Sequence, residues 1–278
     1  MAKAQASTPP PPPEYDFSKD AGAGFENVKS GDLSIPFLVI LQDGSPEVKK
    51  THKDYATKGI KGAQAGMILN TVTKELYVTE PGELGKEPGP DGCFEFIPCM
   101  YQKLYVEWKS RDSGGGIVES HSDDALLLKC KKNEKGQDVL PNGNVLQTTA
   151  YFFGVALIKG EPVRCVIGLS STQLKKARQW LNISTAIKLT GPDGSKFTPP
   201  LFSHRYRLSS IPESNDKGSW YGWAIKLAGR VSDPVLIEDA RTVHTQSKSG
   251  QMKMLAAPEP EGDITPIAPP DDGNPFGG

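Results

Sequence analysis

The chain has 278 residues with 29 glycines, 24 prolines and a formal net charge of −1, long enough to bury a sizeable core and, taken whole, without the excess that marks a binder of polyanions. That total hides an asymmetry: residues 25–254 hold 30 basic and 25 acidic residues, whereas residues 255–278 hold five acids and no Lys or Arg. No apolar run approaches a membrane span, and Pro9 to Pro13 occupy the place where a signal peptide needs an apolar segment, so a cytoplasmic protein with no membrane partner is expected.

Residues 1–24 read as a disordered, proline-rich arm. The first apolar segment, residues 35–41, has the length of a buried strand, and residues 49–64 form a lysine-rich loop. Residues 67–78 carry material for two short strands or one interrupted strand, and residues 80–92 have loop composition. In residues 101–111 an extended chain places Tyr101, Lys103, Tyr105, Glu107, Lys109 and Arg111 on one face and Leu104, Val106 and Trp108 on the other. Residues 113–116 are a turn, and residues 129–135 are a basic run.

Residues 148–182 carry the clearest local signals. An apolar run from Tyr151 to Ile158 meets turn composition at Lys159-Gly160-Glu161-Pro162, and Val163, Cys165, Ile167 and Leu169 then alternate as one apolar strand face. Ser170 with Gln173 forms a capping-box start, and Leu174, Ala177 and Leu181 recur at helical spacing. Lys175, Lys176 and Arg178 occupy the polar side of that short amphipathic helix. Beyond a loop at residues 190–200, Phe202, His204, Tyr206 and Leu208 share a strand face opposite Arg205 and Arg207. In the next strand Tyr221, Trp223, Ile225 and Leu227 are expected to face the core, with Trp220 and Lys226 opposite. Residues 230–241 read as a closing strand or short helix, and residues 255–278 as a disordered acidic tail. The fold class expected is mainly β, a β-rich α+β body at residues 25–254.

Phosphate loops, dinucleotide fingerprints, zinc-protease and serine-hydrolase motifs are missing, and His52, His121, His204 and His244 lack ligand spacing. Cys93, Cys99, Cys130 and Cys165 show no paired short spacing and read as reduced structural thiols. No cofactor, metal or catalytic residue is therefore assigned. One nuclease pattern exists: Asp91 after a proline, then Glu107-Trp108-Lys109, which resembles the PD-(D/E)xK signature of metal-dependent nucleases. Asp91 lies in a Gly-Pro-Asp-Gly stretch with turn chemistry.

The tail, Pro270-Asp271-Asp272-Gly273-Asn274-Pro275-Phe276, resembles the acidic tip of bacterial single-stranded DNA-binding proteins and of their phage counterparts. That resemblance implies an OB barrel, here elaborated, and a tip through which Asp271, Asp272, Pro275 and Phe276 engage replication or recombination proteins. Phe276 is followed by Gly277 and Gly278, a departure from the bacterial pattern that suits a phage member better. Unpaired bases stack on exposed rings while cations neutralise phosphates. The expected surface therefore comprises Tyr101, Lys103, Tyr105, Lys109, Arg111, Lys175, Lys176, Arg178 and Trp220. Single-stranded DNA is the expected partner, in the host cytoplasm, and a homo-oligomer is compatible with the sequence. The alternatives are the nuclease and a phage structural or protein-interaction module.

Overall fold

The computed structural model describes residues 23–24, 34–83, 89–109, 115–216, 218–250 and 252–254. The proline-rich arm, except its last two residues, the acidic tail and Arg111 lie outside them. The fold is mainly β, with a curled half-barrel sheet of the OB-like class expected. In chain order it runs β1 (Ser34–Ile35), β2 (Leu38–Ile40), α1 (Tyr55–Lys58), β3 (Ile68–Asn70), β4 (Leu76–Val78), β5 (Cys93–Trp108), β6 (Ile117–His121), β7 (Lys131–Lys132) and β8 (Asp138–Val139). It continues through β9 (Val145–Ile158), β10 (Glu161–Ser170), α2 (Leu174–Ala186), β11 (Leu189–Thr190), β12 (Lys196–Phe197), β13 (His204–Asn215), β14 (Gly218–Arg230), α3 (Pro234–Lys248) and β15 (Lys253–Met254).

The large sheet has the order β14-β13-β5-β9-β8-β7, with β10 also on β9 and β6 also on β5. The β9–β10 hairpin expected from the sequence is present, and it turns through left-handed Lys159 and Gly160. Its strand β9 pairs directly with β5, from Glu95↔Leu157 to Trp108↔Val145, with one register shift between Pro98 and Met100. Such a bulge moves the following side chains to the other face. Gly154 sits opposite Pro98 at that point, and a Cβ there would lie 2.3 Å from the Ile97 carbonyl and 2.4 Å from the Phe96 ring. The glycine lets the Phe96 ring cross the neighbouring strand.

Both faces of the sheet are buried. On one face α2 packs over Phe94, Phe96, Phe152, Ile167 and Tyr206. On the other, α3 packs on β5 and β9 over Ile97, Val106, Val155 and Val166. Trp180 of α2 is fully buried and stacks on Phe152 with centroids 4.1 Å apart, meeting Phe96 and Tyr206 edge-on. Aromatic pairs of these geometries add to the stabilisation from buried area.

Several local expectations need correction. Among the described residues a second long helix joins α2, where residues 230–241 were expected to form a closing strand or short helix: α3 starts at Asp233, whose carboxylate accepts from the Val235 amide at 2.8 Å, with Pro234 in the first turn. Ala240, Val243 and Ser247 then form its buried side. The capping box at Ser170 does not form, because Gln173 is drawn away to β13 and β14. Residues 35–41 split into β1 and β2 around Pro36 and Phe37, whereas residues 67–78 form two short strands, β3 and β4, the first of the two expected alternatives. The lysine-rich loop is folded into turns and α1, with Val48, Ile60 and Ala63 packed on Leu41, Met67 and Leu69. Leu227, expected in the core, is 47% exposed near the end of β14.

Trp180→Ala removes the ring on which Phe96, Phe152 and Tyr206 converge and is expected to cost about 3–5 kcal/mol. The denaturant midpoint of the variant should fall accordingly, and a loss within the range of surface substitutions would contradict the packing described.

Candidate nucleic-acid interface

The register of β5 on β9 is continuous after the bulge, so Tyr101, Lys103, Tyr105 and Glu107 share one face with Phe152, Ala150, Thr148 and Leu146. It is the face toward α2, and the grouping is the one expected from alternation. What alternation does not reveal is how unequally the four are covered. Residues 124–144 fold back as a 3-10 turn (Asp124–Lys129), β7 and β8, and place Leu126, Leu127, Cys130 and Leu140 over Tyr105 and Leu146. Tyr105 is only 2% exposed, so its expected stacking role is corrected to a core role.

Glu107 is buried beneath the same arm. Its carboxylate accepts from Asn142 Nδ2 at 2.9 Å and Asn144 Nδ2 at 2.5 Å, and lies 3.2 Å from His121 Nε2. These donors, with Asn144 foremost, hold its pKa below the ordinary glutamate range. One side chain of β5 thus fastens both β6 and the turn between β8 and β9.

Between α2 and this arm, Tyr101 and Lys103 emerge. Tyr101 is half-buried against Phe152, ring centroids 5.3 Å apart, and burial raises its hydroxyl pKa. Lys103 is exposed, with Nζ 5.5 Å from the Tyr105 ring centroid, and hydrogen bonding to Tyr105 holds its pKa above the ordinary lysine range. Lys109 is exposed just past the end of β5, and Lys175 and Arg178 are exposed on α2. Lys176 is not available in the same way: its ammonium pairs with Glu213 and donates to the Trp223 carbonyl at 2.6 Å. Its expected phosphate-tracking role is corrected to a latch between α2 and the β13–β14 hairpin. Trp220 is half-buried, and its indole N–H donates to Glu213 at 2.9 Å, which fixes the ring beside the turn.

The outer edge of β14 is closed by side chains. The Gln42 amide bonds both the N–H and the carbonyl of Tyr221, at 2.8 and 2.9 Å, and Gln173 Oε1 accepts from the Trp223 amide at 3.0 Å. Gly222 makes room for this, since a Cβ there would lie 2.2 Å from Glu213 Oε2 and 2.6 Å from Gln173 Nε2. Sequence reasoning missed this network because its members are as far apart as Gln42 and Tyr221 and no local spacing connects them.

The description "Pam3 phage gp34-like protein" matches residues 3–253. The chain belongs to that phage family. No curated protein and no solved structure matches it. In this gp34-like chain the nuclease pattern is not assembled. Asp91 lies in a 3-10 turn before β5, and Glu107 and Lys109 lie at and beyond the far end of that 16-residue strand. At roughly 3.3 Å per residue the two carboxylates are tens of ångströms apart. Glu107 is also committed to Asn142 and Asn144. Among the described residues no group of three or more His, Cys, Asp or Glu side chains is placed to hold a metal, and no helix is long and apolar enough to cross a membrane. The four cysteines are free, with burial raising the pKa of Cys99 and Cys165. Arg111, Asp271, Asp272, Pro275 and Phe276 lie outside the described residues.

Glu107→Gln keeps one oxygen for Asn142 and Asn144 but removes the negative charge and turns an NH2 toward His121 in place of the second oxygen, a loss on the order of 1–3 kcal/mol at neutral pH. Because the folded pKa of Glu107 is lowered, its contribution is full above the unfolded glutamate value of roughly 4.3 and fades as pH falls through the folded value. Melting temperatures of wild type and variant, measured across this acid range, should converge as pH drops; a constant gap would contradict the assignment.

Proposed function

We propose that this phage-family protein binds single-stranded DNA without strong sequence preference, in phage DNA replication or recombination. The observation that carries the reading is the partly exposed stretch of the α2 face, where half-buried Tyr101 is backed by Phe152 and Trp180 and exposed Lys103 stands two residues away, held over the Tyr105 ring. A ring fixed by a packed core stacks on an unpaired base without first losing much freedom, and an adjacent cation neutralises the phosphate. Lys109 and, on α2, Lys175 and Arg178 add exposed positive charge. The net-basic body and the acidic tail support the same reading. In it, Asp271 and Asp272 compete with DNA for the basic surface, and Phe276 engages a partner protein once DNA displaces the tail.

Binding of a labelled oligonucleotide should weaken steeply with added salt and favour single strands over duplex. Tyr101→Ala is expected to lose about 1–3 kcal/mol of binding free energy, the worth of one stacked base. Equal affinity for duplex, or no binding at low salt, would sink the proposal and favour a protein-interaction module. Deleting residues 258–278 should tighten binding; unchanged or weaker binding by the truncated protein counts against competition by the tail.

A further inference from the structure

Past α2 the chain makes a small hairpin, β11 with β12, in the register Leu189↔Phe197 and Thr190↔Lys196. Successive residues of a strand point to opposite sides, so Leu189 and Phe197 share one side of this ribbon and Thr190 and Lys196 the other. Neither Leu189 nor Phe197 packs on a core cluster among the described residues, and Phe197 is 44% exposed. The ribbon is nevertheless fastened at both ends. At its tip the Gly191 amide donates to the Ser195 carbonyl at 2.8 Å, and the Asp193 carboxylate accepts from the Ser195 amide and hydroxyl at 3.0 and 2.7 Å. At its root Lys188 Nζ donates to the Thr198 hydroxyl and to the Thr185 carbonyl in the last turn of α2. A two-stranded ribbon of this length is marginal by itself, so these bonds order an aromatic ring that supports no core.

The ends of the hairpin relate it to Tyr101. Ser184 of α2 meets the Tyr206 hydroxyl at 2.7 Å, and Tyr206 pairs with Phe96 of β5. After β12 the chain enters the 3-10 turn Leu201–Ser203, which packs on β5. Carried back through His204, the register Tyr206↔Phe96 sets that turn beside the residues just past the bulge, next to Tyr101. The hairpin therefore leaves and rejoins the body along the flank of the candidate surface. Lys196 is exposed and has no ion-pair partner among the described residues, whereas Asp193, the acid of the hairpin, is engaged by Ser195. Ring and ammonium lie one residue apart on β12, so a chain that crosses the edge of the ribbon meets both. We infer that the β11–β12 hairpin is a second stacking element for single-stranded DNA, with a base on Phe197 and a phosphate on Lys196, on a strand that continues from Tyr101.

The inference rests on the single-stranded DNA reading and adds a contact outside the Tyr101 stretch. It is tested on the full-length chain with a labelled oligothymidylate over a range of salt concentrations. Phe197→Ala should weaken binding about fivefold or more, the effect of losing one stacked base, with the melting temperature unchanged because the ring supports no core. Phe197→Trp should keep wild-type affinity, since the larger ring also stacks. Lys196→Gln should weaken binding and flatten the salt dependence by about 0.7, the share of one phosphate on a single strand. Wild-type protein that binds no single strand overturns both readings. Wild-type binding with unchanged affinity in Phe197→Ala overturns the hairpin contact alone, as does a melting temperature of that variant that falls together with its affinity.

Discussion

The pairing of β5 with β9 is the constraint on which the rest depends. These two long strands are buried on both faces over most of their shared length, so neither can shift without moving α2 on one side and α3 on the other. The bulge between Pro98 and Met100 decides what each half of β5 presents. Before it, Phe94 and Phe96 point toward α2; after it, Tyr101 and Lys103 do. Without the extra residue those two side chains would point toward the α3 face instead. A local irregularity in one strand thus sets the composition of the candidate surface, and Gly154 opposite it is part of the same device.

Electrostatics divides the charged residues into those that hold the fold and those that remain at its surface. Glu107 and Glu213 are two organising carboxylates among the described residues. The first joins β6 and the β8–β9 turn to β5, and the second joins α2 to the β13–β14 hairpin through Lys176, Gln173 and Trp220. Buried or half-buried carboxylates with several donors are costly to leave half-satisfied. Each therefore ties chain segments that hydrophobic burial alone would leave free to slide.

The central strand-turn-strand-helix was legible because its signals are local: apolar runs of strand length, a turn rich in Gly and Pro, then helical spacing. The shared face of Tyr101, Lys103, Tyr105 and Glu107 was legible for the same reason. Burial of Tyr105 was not, since it comes from Leu126, Leu127 and Leu140 on an arm whose folding no periodicity encodes. Trp180 sits among Lys175, Arg178 and Gln179, and its polar neighbours conceal a fully buried ring of the core. The start of α3 did carry a readable sign in Asp233-Pro234, an N-cap followed by proline. The roles of Lys176 and Trp220 were out of reach, because both are decided by Glu213 and by the way Gly222 lets its carboxylate fold across.

Gln42 and Gln173 have a consequence beyond the contacts they make. An open strand at the end of a sheet is a template on which another chain can add itself. At Tyr221 and Trp223 that template is already filled from within the molecule, by amides that copy the donor and acceptor pattern of a missing strand. The sheet therefore ends there chemically as well as geometrically, and neighbouring copies can be packed closely without this edge drawing them into a common sheet.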